Sequence, residues 1–572
     1  MKQKFLTISL LAACVSAYAQ SHQSFDAVEF SANPVQAWVA RYNGPGSAAD
    51  VAKAIVVDGS GNIYVTGYRT GLDGYRNYAT IKYSNNGVQE WVASYNGPGN
   101  NHDEAYAIAV DNIGNVYVTG YSQGVSGTSD YATIKYDDAG VQQWVTRYNG
   151  AVSAGDTAVA LTIDASGNFF VTGRSIGAGG NRNYVTVKYN GTGKEQWVAS
   201  YNGSGNGHDD AQALAVDGLG NVYVTGYSYG SNGNYNYATI RYSAAGIKNW
   251  VATYSASTGK DDKAHAIAVD DAGNVYVTGS SDGFLGNHNY ATLKYNSAGA
   301  KQWVARYQGP ASQHDDAYAI AVDGFGNVYV TGRSQGRKKG YDYATIKYNN
   351  TGDQQWVARY NGPTNKDDEA KALTVDGAGN IYVTGFSTDF AGFQNYTTVQ
   401  YNSAGVEQWV GGYYGPAQSH DGANAIAVDS EGNVYVTGYS TSANGTTDCV
   451  TIKYLASNIS GVFSKTAASK NNTLSQSDNS TVLPATFHVA QNLPNPFNPT
   501  TTIHFDMPQA GRVKLSVYNL RGELVQTLVD GEISAGAHSV RFDGRGLASG
   551  VYFYRMEAGG VYTMTRKMVL QK

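Results

Sequence analysis

The tryptophans constrain the architecture before any other residue is considered. They stand at Trp38, Trp91, Trp144, Trp197, Trp250, Trp303, Trp356 and Trp409, and the chain has no others. Each interval is 53 residues. A constant period of this length marks a repeat architecture, in which each unit buries its apolar face only against its neighbours. Each Trp lies in a phrase such as Gln36-Ala37-Trp38-Val39-Ala40-Arg41-Tyr42-Asn43-Gly44. The sixth unit shows the rest of the pattern. It has strand-like runs at 319–323, 327–331, 343–348 and 355–360, rich in β-branched and aromatic residues and bounded by Gly, Asn and Asp. No unit leaves room for a long amphipathic helix. Four short antiparallel strands repeated radially form a propeller blade. The sequence therefore predicts an all-β fold: an eight-bladed β-propeller of 53-residue repeats over residues 36–454.

The two ends of this region are out of phase. The first three runs of a unit occur eight times and end at Tyr454, whereas the Trp run comes first, at Trp38, and is missing after Tyr454. The Trp38 run is expected to pair with the sheet built from 423–454 and close the ring, which removes the largest open edge. The competing arrangement is an open β-solenoid with capped ends.

Charge narrows the function classes. A net charge of -5 over 572 residues, only 15% of them charged, gives no basic footprint for nucleic acid. The 69 glycines and 46 tyrosines suit many turns and half-buried strands. Residues 1–19 read as a signal peptide: Lys2 and Lys4, a short apolar run from Phe5 to Leu11, and a small-x-small site at Ala17-Tyr18-Ala19. Leu11-Ala12-Ala13-Cys14 is a competing lipobox, with Cys14 as the lipidated residue. Cleavage after Ala19 leaves Cys449 as the one cysteine and excludes an intrachain disulfide. Cys449 takes the place held by Tyr78, Tyr131, Tyr184, Tyr237, Tyr290, Tyr343 and Tyr396, so it reads as a strand residue filling a core position.

Several polar positions recur in every unit. Asp58, Asp111, Asp164, Asp217, Asp270, Asp323, Asp376 and Asp429 open Asp-x-x-Gly-Asn turns closed by Asn62, Asn115, Asn168, Asn221, Asn274, Asn327, Asn380 and Asn433. The spacing of an oxygen-ligand calcium loop is absent, so these read as structural turns. A second ring, Asp50, Asp103, Asp156, Asp209, Asp262, Asp315, Asp368 and Asp421, precedes the first strand of each unit. These are expected to cap backbone N–H groups locally; the alternative is a weakly held calcium or other cation on the axis. His102, His208, His314 and His420 fall in alternate units, too far apart to share a metal, and read as loop-packing residues. Lys82, Lys135, Lys188, Lys294, Lys347 and Lys453, with Arg241 and Gln400, recur in the third strand. Their stems are expected to cover apolar blade surface while their heads reach water.

By strand alternation, the two longer loops of each unit emerge on one face. They vary at Tyr68, Arg69, Tyr75, Arg174, Tyr229, Phe284, Arg337, Lys338, Lys339, Phe390 and Phe393. Such a face fits an extracellular protein or glycan. The recurring Asp-x-x-Gly-Asn-Val-Tyr-Val-Thr-Gly followed by Tyr-Ala-Thr-Ile-Lys-Tyr resembles the bacterial SBBP β-propeller repeat. That resemblance implies export and a propeller but brings no catalytic residue.

Composition shifts after Tyr454. Residues 456–486 read as a flexible Ser/Asn/Thr-rich linker. Strand candidates follow at 501–506, 512–519, 523–529, 537–542, 551–557 and 562–570, the pattern of a small β-sandwich. Leu493-Pro494-Asn495-Pro496-Phe497-Asn498-Pro499-Thr500, Val517-Tyr518-Asn519-Leu520-Arg521-Gly522, Ser549-Gly550-Val551-Tyr552-Phe553-Tyr554 and the closing Lys567-Met568-Val569-Leu570-Gln571-Lys572 resemble the C-terminal sorting domain of type IX secretion substrates. That domain is Ig-like, similar to flagellar hook-assembly proteins. The resemblance spans 487–572 and implies recognition by the type IX machinery and delivery to the outer surface of a Gram-negative bacterium, released or surface-attached. The sequence assigns no catalytic or cofactor-binding residue and no definite metal ligand. The leading function is a non-catalytic binding scaffold; the alternatives are an extracellular polysaccharide lyase or hydrolase, and a purely structural surface component.

Overall fold

The computed structural model describes residues 34–256, 260–283, 286–337, 340–455, 488–489, 499–507, 510–534, 536–558 and 562–571. The signal peptide, Cys14, the linker, the proline-rich run before Pro499, Phe284, Lys338 and Lys339 lie outside these residues. Two compact units divide near Ile459.

The first unit is the propeller, built of eight four-stranded antiparallel sheets. Blade 1 comprises Val51–Val57, Ile63–Thr70, Arg76–Tyr83 and Gln89–Tyr95 in spatial order, and the next six blades follow the same path. Blade 8 takes its first three strands from Asp421–Val428, Val434–Thr441 and Thr447–Tyr454, and its fourth from Gln36–Tyr42. The N-terminal strand runs antiparallel to Thr447–Tyr454, with Trp38 opposite Lys453 and Tyr42 opposite Cys449. The first strand of blade 1 packs against the first strands of blades 2 and 8. The eight first strands therefore circle one axis and the ring is closed.

Apolar cores lie between blades. The second strands, with Ile-Tyr-Val or Val-Tyr-Val runs and Phe169-Phe170-Val171 in blade 3, are buried on both faces. Tyr64, Tyr78 and Trp91 of blade 1 pack on Val116, Val118, Ala132 and Ile134 of blade 2, and equivalent clusters occupy the other seams. Each fourth-strand Trp reaches over the seam. Trp303 donates its indole N–H to the carbonyl of Asn350 in the next blade at 3.0 Å, and Gly352, at φ +88°, lies flat against its ring. Only a residue without Cβ fits that approach. The seam between blades 7 and 8 differs because the corresponding turn is absent. There Trp409 is buried against Tyr454, and Gly411 leaves space for Pro34. Cys449 is buried in the core between blades 8 and 1, where desolvation pushes its thiol up.

The second unit is a small β-sandwich. One sheet orders Leu524–Ile533, Gly511–Asn519, Gly550–Ala558 and Tyr562–Leu570; the other orders His488–Val489, Thr500–Met507 and Gly536–Asp543. Val513, Leu515 and Val517 alternate inward along one strand and meet Ile503, Phe505 and Phe542 of the facing sheet. This period of two, strong in the sequence, sets the register of a half-buried sheet.

Candidate functional site

The recurrent carboxylates are structural. Asp58 accepts the backbone N–H groups of Ser60 and Asn62 at 2.8 and 2.9 Å, the Asn62 amide at 2.8 Å and the Tyr64 hydroxyl at 3.0 Å. These donors use up its acceptor capacity and leave the carboxyl below its ordinary range, although burial alone raises it. The second ring is buried and also capped locally. Asp103 accepts from Gly97 N at 2.7 Å and Gln123 N at 3.1 Å, and Asp209 from Gly203 N at 2.8 Å and Tyr229 N at 2.9 Å. Each pins the inter-blade loop to the end of its own second strand. Burial nevertheless raises the Asp103 and Asp209 carboxyls. The ring serves its own loops, and among the described residues no three His, Cys, Asp or Glu side chains gather as a metal site.

The alternating histidines also have one shared structural task. Nδ1 of His102, His208, His314 and His420 accepts the backbone N–H of Arg76, Arg182, His288 and Gln394, at 3.1–3.3 Å. Asp261 and Asp367 do the same for Tyr235 and Tyr341 at 3.0 and 3.1 Å. The expectation for the third-strand lysines needs correction. Their heads reach the next blade: Lys188 Nζ lies 3.1 Å from Ala244 O, Lys294 Nζ 3.3 Å from Asn350 O and Lys453 Nζ 3.3 Å from Asn85 O. Turn carbonyls of the next blade accept from these heads, because the neighbouring turn lies over the strand end, although Lys188 stays half-exposed. A further latch escaped sequence reasoning. Arg41, Arg147, Arg306 and Arg359 each bind a tyrosine hydroxyl of the preceding blade and a serine of their own.

Some of the expected loop-face residues are likewise structural. Arg69 binds Ser94 and Tyr42, while Tyr75 and Phe393 stand edge-on to His102 and His420. Tyr229 packs edge-on to Tyr235, and Arg337 and Phe390 are exposed. Tyr68 and Arg174 instead belong to a site at the loop-side end of the first strands.

That site breaks the repeat. In every blade the first strand carries a bulge between its two alanines, as between Ala52 and Ala54. The residues set there are Lys53, Tyr106, Val159, Gln212, His265, Tyr318, Lys371 and Asn424. A bulge residue leaves the ladder, so its side chain can be re-aimed. Neighbouring ones meet around the axis. The rings of His265 and Tyr318 are 5.9 Å apart, and the Lys371 ammonium lies 5.3 Å over Tyr318.

Two positions before the bulge, blades 2, 4, 6 and 7 carry Glu104, Asp210, Asp316 and Glu369, all buried and all paired. Glu104 binds Arg76 and accepts the hydroxyls of Tyr106 and Tyr121 at 3.2 and 3.1 Å. Asp210 meets Arg174 at 3.4 Å and Arg182 at 3.2 Å. Asp316 meets His288 Nδ1 at 2.9 Å and Arg333 at 3.0 Å, and Arg333 continues to Glu369 at 3.2 Å. Burial drives the Asp316 carboxyl up, but the His288 hydrogen bond and the Arg333 charge outweigh it and hold it low. The same bond holds His288 above its ordinary range. His265 is half-buried, faces Ser280 Oγ at 3.3 Å and is pushed down to about 4 by desolvation. The first residue of the third strand follows these acids: Arg76, Arg182 and His288 meet acids across odd-to-even seams, while the corresponding positions of blades 7 and 8 hold Gln394 and Gly422. A signal for this was present, since these positions change from unit to unit while the alanines beside them repeat.

Family models match both parts of the chain. The Beta-propeller repeat model (SBBP) matches residues 95–125, 199–234, 252–284, 302–337, 355–393 and 413–446, and the Secretion system C-terminal sorting domain model matches 493–571. No curated protein matches the chain. Similar solved structures include a eukaryotic initiation factor (8% identity, TM-score 0.34, covering 86% of this chain and 90% of that one). Others are a protein of unknown function from Dyadobacter fermentans (11%, 0.34, 75% and 100%) and a glucose dehydrogenase (10%, 0.30, 51% and 95%). The sorting domain marks the chain for export by type IX secretion to the surface of a Gram-negative bacterium. The chain is thus a secreted, mostly β-sheet scaffold with a bacterial SBBP-type β-propeller repeat region followed by a type IX secretion C-terminal sorting domain.

Proposed function

We propose that the propeller is a non-catalytic scaffold that binds an extracellular protein or glycan through its loop face, with the axial mouth at the centre of the surface. The observation that carries this is where repetition stops. Turn aspartates and Trp latches recur around the ring, whereas the eight bulge residues span cationic, aromatic, amide and aliphatic side chains. A position set by packing alone is solved alike in each blade; a position facing a shared ligand is not. The non-catalytic reading is supported by the acids of the mouth. Each is tied to cations or hydroxyls, whereas a general acid or base needs a carboxyl with a free proton position aimed at substrate. An array of glycans and extracellular proteins probed with the full chain tests the proposal. Binding should fall in Tyr106→Ala and Tyr318→Ala and persist in Phe325→Ser on the opposite face. Turnover of a polysaccharide, lost in the same variants, would overturn the non-catalytic reading.

A further inference from the structure

Blade 5 departs from the other seven at the loop-side end of its first two strands. Opposite the position two before the bulge, every other blade carries a tyrosine, an arginine or a phenylalanine, as at Tyr227 of blade 4 and Arg333 of blade 6. Blade 5 carries Ser280 there, opposite Lys263. Where that bulk is missing lies a cavity of about 280 Å³, lined by Ser280 with Asn234, Lys260, Asp261, Lys263, Asp282 and His288. Ligand pockets run from roughly 300 Å³ upward, so this is a small one. Two of its walls are peculiar to this blade. Lys263 stands where the other blades hold an acid or an uncharged residue, and Asp282 is the one carboxylate at its place in the ring. Lys263 Nζ lies 3.7 Å from Asp261 and over the rings of Tyr227 and Tyr235, at 5.5 and 5.2 Å, which fixes it at the wall. Asp282 is buried, and its Oδ1 lies 3.1 Å from His288 Nε2 yet accepts no hydrogen bond. His288 is committed at its other nitrogen to Asp316. A buried carboxylate oxygen without a donor is costly unless something supplies one. The lining charges also balance, Lys260 and Lys263 against Asp261 and Asp282, so donors and acceptors stand side by side with no net charge to draw an ion.

We propose that this cavity binds one neutral pyranose, the end residue of a glycan chain, through its hydroxyl groups. A hydroxyl donates to a carboxylate and accepts from an ammonium, so the vicinal hydroxyls of a sugar ring match a lining of Asp282, Asp261 and Lys263, whereas a charged group would meet a like charge there. This deepens the binding reading above and rests on it. Ligand-observed NMR titration of the full chain with the methyl glycosides of glucose, galactose and mannose tests the site, with glucuronate and glucosamine as charged comparisons. At least one methyl glycoside should bind, more tightly than either charged sugar and with little dependence on salt. Ser280→Tyr fills the cavity with the side chain that blade 4 carries at the same place, Tyr227, and Asp282→Thr installs that of blades 7 and 8, Thr388 and Thr441. The repeat already accommodates both side chains, so each variant should keep the parent's unfolding midpoint while weakening binding at least tenfold. Binding of none of the three methyl glycosides, tighter binding of glucuronate or glucosamine, or full binding in Ser280→Tyr would overturn the assignment. A glycan or protein whose binding is lost in Tyr106→Ala but unaffected by Ser280→Tyr would leave the general function standing and remove only this inference.

Discussion

Gly352→Ala offers a measured test of how the blades are held together. Two costs arise at this site. The backbone sits at φ +88°, a left-handed conformation that costs an L side chain about 1 kcal/mol. The added methyl would also meet Trp303 Cδ2 at 2.7 Å, closer than van der Waals contact, and Trp303 is anchored by its bond to Asn350 O. Forcing an extra methyl into a packed site costs a further ~1–3 kcal/mol. Gly445 provides the internal control: its φ is +86°, and nothing lies within 4 Å of its would-be Cβ. Gly445→Ala should therefore cost only the conformational term, and Gly352→Ala about twice to four times as much. In a Trp303→Ala background the steric cost should vanish, giving a coupling of about 1–3 kcal/mol in the double-mutant cycle. Urea unfolding followed by fluorescence and by circular dichroism reads both. Equal losses for the two glycines, or additive losses in the cycle, would refute the latch.

Three further outcomes follow from buried charge and from the tail. Arg359 holds the buried Asp342 at 2.6 Å and the Tyr307 hydroxyl of the preceding blade at 2.8 Å. Arg359→Met should cost about 3–5 kcal/mol, the loss expected when a buried partner is stranded, and adding Asp342→Asn should recover part of it in denaturant titrations. His265 lies at about 4 against an ordinary 6.5, so the unfolded chain takes up its proton first. Its contribution is present above 6.5 and lost as pH falls toward 4, by ~3 kcal/mol. His265→Asn should flatten the loss of stability over that window relative to the parent, and parallel curves would refute the burial argument. Deleting 487–572 should leave a folded propeller in the periplasm, read by fractionation of a type IX-competent host; equal surface delivery of both forms would contradict the tail's role.

The strands and the closing element were legible because Trp spacing is a one-dimensional signal. The N-terminal Trp run had a single vacancy to fill, beside Thr447–Tyr454. The sandwich strands were legible for a related reason, since Val513, Leu515 and Val517 alternate with polar neighbours. The mouth was not. Ala52-Lys53-Ala54 looks like ordinary alternation, and only pairing shows that one residue is extruded between the two alanines. The lysine heads and the arginine latch were hidden for another reason: their partners lie in adjoining blades, and cross-seam partners depend on how the blades face one another. Arg41, Arg147, Arg306 and Arg359 recur in only four units, so on sequence they resemble scatter on a half-exposed strand.

Closure of the ring underlies the whole account, because the eight bulge residues face one shared mouth only when blade 8 joins blade 1. Amide hydrogen exchange across Thr447–Tyr454 measures this directly. In the closed ring that strand is bonded on both edges, by Val434–Thr441 and by Gln36–Tyr42. Its protection should match that of Tyr341–Tyr348, the corresponding strand of blade 6, and should collapse when 36–42 are deleted. Edge-like, rapid exchange in the intact chain, or protection indifferent to the deletion, would contradict closure.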